Sequence, residues 1–173
     1  SFDEMGLQPD IVTMAKSLSG FGLPLAALLV KPEHDVFGPA EHNGTFRGNN
    51  HAFVTARVAL EKFWSDGRFE KSVRERASYL KSRLEKMLES LPSARLKGRG
   101  MMLGIDVGSG ELAGAICARC FEKGLVIETS GARGEVVKIL APLTIDQASF
   151  ARGLDILEAA AGEANHSTRI AAE

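Results

Sequence analysis

The spacing of apolar residues changes twice along the chain. Ile11-Val12-Thr13-Met14 is a β-branched run set off by the turn pair Pro9-Asp10, and it predicts a buried strand. Residues 17–22 follow as a Ser/Gly loop, and residues 24–30 form a second strand-like run closed by Lys31-Pro32. Residues 33–50 show no period and carry Gly38, Pro39, Gly44 and Gly48, so a long loop is expected there. A long unstructured loop in a compact domain generally has a functional reason.

Helical spacing takes over near Ala52. Phe53, Ala56, Leu60 and Phe63 share one face, Asn49 or Asn50 can serve as the N-cap, and Gly67 is expected to break the helix. A second helix, over residues 69–91, aligns Val73, Ala77, Leu80, Leu84 and Met87 along one stripe and stops at Pro92. Residues 101–107, 125–128 and 136–140 predict strands, and residues 112–123 a helix. A final helix over 147–161 carries Phe150, Leu154, Leu157 and Ala161 on its face. The pattern predicts an α/β protein in two regions: 1–66, the end of one α/β domain, and 67–162, a smaller α+β domain. The polar tail 163–173 is expected to be loose.

Composition narrows the class of protein. Lys+Arg 21 against Asp+Glu 22 leaves a net charge of -1, which argues against a nucleic-acid-binding module. No apolar run is long enough for a membrane helix, and Ser1-Phe2-Asp3-Glu4 is polar and acidic where a signal peptide would be basic and then apolar. A soluble, cytoplasmic protein is expected. The chain opens on Ser1 as though it were the later part of something longer.

Several motifs have plain structural explanations. Gly20-Phe21-Gly22 and Gly98-Arg99-Gly100 lack the third glycine and the following helix of a dinucleotide fingerprint. Cys117 and Cys120 fall on one helical face with Ala113, Ile116 and Phe121, as core residues would, and no second pair exists to complete a zinc site. His34, His42, His51 and His166 show no metal-ligand spacing. The Lys/Arg-rich helix 69–91 is interspersed with Glu70, Glu75, Glu85 and Glu89, which suits a solvated face. Lys16 is the more informative position. It sits at a strand end before a Ser/Gly loop, where a stem lying on buried surface would lower the amine pKa and favour attack on a carbonyl.

The stretch "PDIVTMAKSLSGFGLPLAALLV" followed by "HNGTFRGNNHAFVTA" resembles the class III (ornithine-type) aminotransferases. That resemblance implies the aspartate-aminotransferase-like (fold type I) architecture and pyridoxal 5'-phosphate as cofactor. Lys16 matches the lysine that holds the cofactor covalently, and Thr45 matches the threonine that reaches the cofactor phosphate of a neighbouring subunit. A homodimer or higher homo-oligomer is thereby implied. "GRGMMLGIDVGSGELA", "FEKGLVIETSG" and "EVVKILAPLTI" are similar to one subfamily, which in ectoine biosynthesis moves the amino group of glutamate to aspartate 4-semialdehyde. Enzymes acting on ornithine, acetylornithine or 4-aminobutyrate are the nearest alternatives, and a non-catalytic interaction fragment is another.

The resemblance also implies that the chain corresponds to the C-terminal portion of such an enzyme, with the remaining cofactor contacts upstream of Ser1. Asp10 is taken as a turn residue, distinct from the family's pyridine partner. Lys138 stands where many relatives place a carboxylate-binding arginine, so Lys138 and Arg47 are the candidates for holding substrate.

Overall fold

In the computed structural model, residues 5–170 are described, with side chains to Asn165; Ser1–Glu4, the side chains of residues 166–170 (His166 among them) and the last three residues lie outside. The chain divides into two compact units between Phe69 and Glu70.

The first unit holds β1 (Ile11–Ala15), β2 (Ala26–Val30) and α1 (Asn50–Phe63). The strands pair antiparallel, from Ile11 opposite Val30 to Ala15 opposite Ala26. β1 is not buried as expected. Among the described residues it pairs with β2 alone, and Ile11, Leu28 and Leu29 are each about half exposed. Asn49 caps α1: its side-chain oxygen accepts the N–H groups of His51 (3.1 Å) and Ala52 (3.2 Å). Gly67 does not terminate α1, which ends at Phe63; it opens α2 (Gly67–Leu88) instead.

The second unit packs α2, α3 (Gly110–Glu122) and α4 (Gln147–Ile170) with a four-stranded antiparallel sheet of order β3-β4-β6-β5. Its strands are β3 (Arg95–Arg99), β4 (Met102–Asp106), β5 (Glu128–Ser130) and β6 (Val136–Ile139). Leu80, Leu84 and Met87 of α2, Ile105 and Val137 of the sheet, Ile116 of α3 and Leu157 of α4 form the core. The opposite face of α2 is solvated as expected, with the ion pairs Glu70–Arg74, Lys71–Glu75 and Lys81–Glu85 spaced i,i+4.

Three features depart from the sequence pattern. β3 has no counterpart in the pattern; Gly100-Met101 turns it into β4, and within the ladder the Cβ position of Gly98 (φ +95) lies 2.2 Å from the Met102 carbonyl oxygen. The described part of the tail is not loose, because α4 runs on to Ile170 with Ala164 buried, and Asn165 donates to the Ser90 carbonyl at 3.1 Å; residues 171–173 lie outside the described residues. Of the CxxC face, Cys120 is fully buried, with its thiol pushed up to about 11 by burial, and Cys117 is half-buried. Phe121 points out of that face and is exposed.

One buried polar cluster lies at the edge of this sheet. The Asp106 carboxylate accepts from Lys97 (2.8 Å), the Gly108 N–H (2.9 Å) and Arg95 (3.0 Å). These contacts hold it well below the usual carboxylate range, with the Lys97 hydrogen bond the largest cause. Glu135 beside it is also lowered, by its own and the Arg133 backbone N–H groups.

Candidate active site

Lys16 follows directly on β1 and adopts φ 58, the left-handed region. For a residue with a Cβ this costs about 1–2 kcal/mol, so surrounding structure has to fix it. The fixing elements are local. Lys16–Ser19 form a 3-10 turn closed by the Gly20 N–H donating to the Ser17 carbonyl at 3.0 Å. Ser19 is fully buried, and Gly20 (φ +74) sits against α1, its Cβ position only 2.5 Å from the Ala59 Cβ and 3.1 Å from the Thr55 carbonyl. Only glycine fits there. The Lys16 side chain itself is exposed, contrary to the expectation that its stem lies on buried surface. Desolvation therefore does not distinguish this amine. What distinguishes it is freedom, since no ion-pair or hydrogen-bond partner engages it among the described residues.

The loop before α1 carries the second group of candidates. The Arg47 N–H donates to the Gly44 carbonyl at 3.1 Å, which closes a turn with Thr45 and Phe46 at its centre, both exposed. Arg47 folds back over this turn, its Cγ 3.3 Å from the Cβ position of Gly44. Its guanidinium donates to the His42 carbonyl at 3.0 Å and meets the His42 Nδ1. The His42 ring stacks on Phe37, with centroids 4.6 Å apart and planes 17° from parallel. Lys16, His42 and Arg47 all line one open concavity of this unit; Thr45 is outside its lining. His42 had no signal in the sequence, because its contact with Arg47 exists only once the intervening turn has formed.

Lys138 belongs to the second unit. It is half-buried on β6, and its Nζ lies 2.6 Å from Glu128 Oε1 on β5. The ammonium lowers the Glu128 pKa, first through that hydrogen bond. Both residues line an apolar cleft of about 380 Å³ with Leu125, Ile127, Phe150 and Leu154.

The class-III aminotransferase family matches residues 1–161, and the chain belongs to that family. Within it, the chain is 51% identical over 160 residues to the diaminobutyrate–2-oxoglutarate transaminase of Vibrio cholerae, covering 91% of this chain and 39% of that protein. It is also 51% identical over 168 residues to the transaminase of the same name from Halomonas elongata, covering 95% and 40%. Among solved structures, an N-acetylornithine aminotransferase from Stenotrophomonas maltophilia matches 100% of this chain and 43% of its own at 29% identity and a TM-score of 0.77. An S-selective transaminase from Arthrobacter sp. with alanine bound matches 96% of this chain and 41% of its own, at TM-score 0.84 and 23% identity, and so shares the fold. The chain spans about two fifths of the length of the curated relatives it matches.

Proposed function

We propose that this chain serves a pyridoxal-phosphate-dependent diaminobutyrate–2-oxoglutarate aminotransferase. The reaction moves the amino group of glutamate to aspartate 4-semialdehyde and yields 2,4-diaminobutyrate and 2-oxoglutarate, in the cytoplasm and in ectoine biosynthesis. The observation that carries the reading is the Lys16 amine, unpaired among the described residues, opening into a concavity that a guanidinium also lines. Relatives of that name at half identity favour this substrate pair over ornithine or acetylornithine. Among the described residues no helix is long and apolar enough to cross a membrane.

The residues suit the cofactor. An amine held in an ion pair would first have to be released before it could attack an aldehyde, and among the described residues nothing imposes that cost on Lys16. When bound, pyridoxal phosphate supplies an aldehyde to carry the amino group and an electron sink for the substrate carbon. Lys16 would hold the group through Nζ, and the same amine would serve as the base that takes and returns a proton at the substrate carbon. The left-handed turn keeps that nitrogen at the end of β1 through both roles. Thr45, at the centre of its turn, would offer a hydroxyl to the phosphate bound by a neighbouring subunit, so a homodimer or higher homo-oligomer is the functional form. Lys138 is proposed for the substrate α-carboxylate, with Arg47 as the alternative to it.

In the full-length protein, borohydride reduction with cofactor present, followed by peptide mapping, is expected to place the cofactor on Lys16. Lys16→Ala is expected to abolish both the bound-cofactor absorbance and transamination while leaving the fold intact. Cofactor trapped on another lysine would overturn the assignment. Assays with ornithine, acetylornithine and 4-aminobutyrate as donors separate the substrate alternatives.

A further inference from the structure

Arg47 is exposed, yet its side chain is not free to swing. A guanidinium has five N–H groups in a rigid fork. One Nη1 hydrogen goes to the His42 carbonyl (3.0 Å) and one Nη2 hydrogen meets His42 Nδ1. The stem crosses the turn where Gly44 leaves room, 3.3 Å from its Cβ position. The imidazole is itself held, stacked on Phe37 at 4.6 Å and nearly parallel to it. Accepting at Nδ1 requires the neutral ring, with its hydrogen on Nε2.

We propose that His42 is a positioning residue: braced by Phe37, it clamps two N–H groups of Arg47 so that the other three face an oxyanion in the concavity lined by Lys16. A lone arginine on a loop loses several rotors when it binds an anion, and a fork clamped beforehand has less left to lose. The oxyanion is either a substrate carboxylate or the cofactor phosphate, both of which match the fork. The inference rests on the proposed site at Lys16 and Arg47 and deepens it by naming what sets the arginine.

The test uses the full-length protein with His42→Ala, His42→Asn, Arg47→Lys and the double variant His42→Ala/Arg47→Lys. Asparagine offers Oδ1 as an acceptor in place of Nδ1. If a substrate carboxylate is the ligand, His42→Ala should raise the glutamate KM about tenfold, the scale of one charge-assisted hydrogen bond, with kcat and cofactor Kd unchanged. If the cofactor phosphate is the ligand, the cofactor Kd should weaken by that factor instead. Binding of inorganic phosphate to cofactor-free protein, followed by calorimetry, should then weaken with it. In either case His42→Asn should recover most of the loss, and the double variant should be no worse than Arg47→Lys alone. Unchanged KM and Kd in His42→Ala, or losses that simply add in the double variant, would overturn the proposal. Failure of the Lys16 assignment appears separately, as cofactor trapped on a different lysine, and leaves the phosphate titration as the measure of the clamp.

Discussion

Lys138 and Glu128 are paired residues on adjacent strands, and their side chains meet at 2.6 Å. A protein carboxylate thus already occupies the ammonium that a substrate carboxylate would use. If Lys138 takes that role, it exchanges one partner for the other. Glu128→Gln is then expected to lower the glutamate KM by removing the competitor. Lys138→Ala is expected to raise it about tenfold, one charge-assisted hydrogen bond. Steady-state kinetics on both variants, with cofactor occupancy unchanged, check this; unaltered KM in both assigns the pair to the sheet alone.

Thr45 is expected to act across the subunit interface. Thr45→Ala should weaken cofactor binding about tenfold, since the loss of one hydrogen bond to a charged group is worth roughly 1.5 kcal/mol or more. Activity per chain should fall on dilution as subunits separate, as activity measured alongside sedimentation would show. A fully active monomer would refute the role.

Gly20 carries two constraints at once, the positive φ and the 2.5 Å approach to Ala59. Gly20→Ala is expected to destabilise by more than about 1 kcal/mol, because the strained φ adds to the clash. Adding Ala59→Gly should recover only the steric part. Urea unfolding midpoints of the three variants provide the measurement.

The Asp106 and Glu135 carboxylates are lowered in the folded protein. The folded state therefore binds fewer protons than the unfolded chain below about pH 4–5, the ordinary carboxylate range. Stability from these contacts should be present in full above that range and decline as the pH falls through it toward the lowered values. Asp106→Asn should flatten the acid limb of a plot of urea midpoint against pH. An unaltered acid limb would locate the dependence in other carboxylates.

The helices were legible because their burial follows a period the sequence carries. In α2 the stripe through Leu80, Leu84 and Met87 is the buried one. The same period continues in α4, where Ala164 extends the spacing of Leu157 and Ala161 into a stretch whose polar neighbours mask it. β3 escaped notice because Arg95-Leu96-Lys97-Gly98-Arg99 offers one apolar residue in five, and its place depends on pairing with β4. β5 starts at Glu128, at the end of the apolar run 125–128. The Leu125 N–H is used at the α3 terminus, donating to the Cys120 carbonyl at 2.8 Å, so residues 125–127 line the cleft and the ladder begins only at Glu128. At the site, the position of Lys16 could be found from its neighbours in sequence. The exposure of its stem and the clamp on Arg47 could not, since both are products of turns.

The Asn49 cap pins the first turn of α1, and Thr45 lies only five links of chain before Asn50. Fully stretched, that leash reaches about 17 Å. Any phosphate that Thr45 touches must therefore lie within that radius of the helix start. If Thr45 takes that role, a partner subunit would have to bring its own cofactor cleft up to the mouth of α1, so the anchored leash limits which subunit arrangements could be productive.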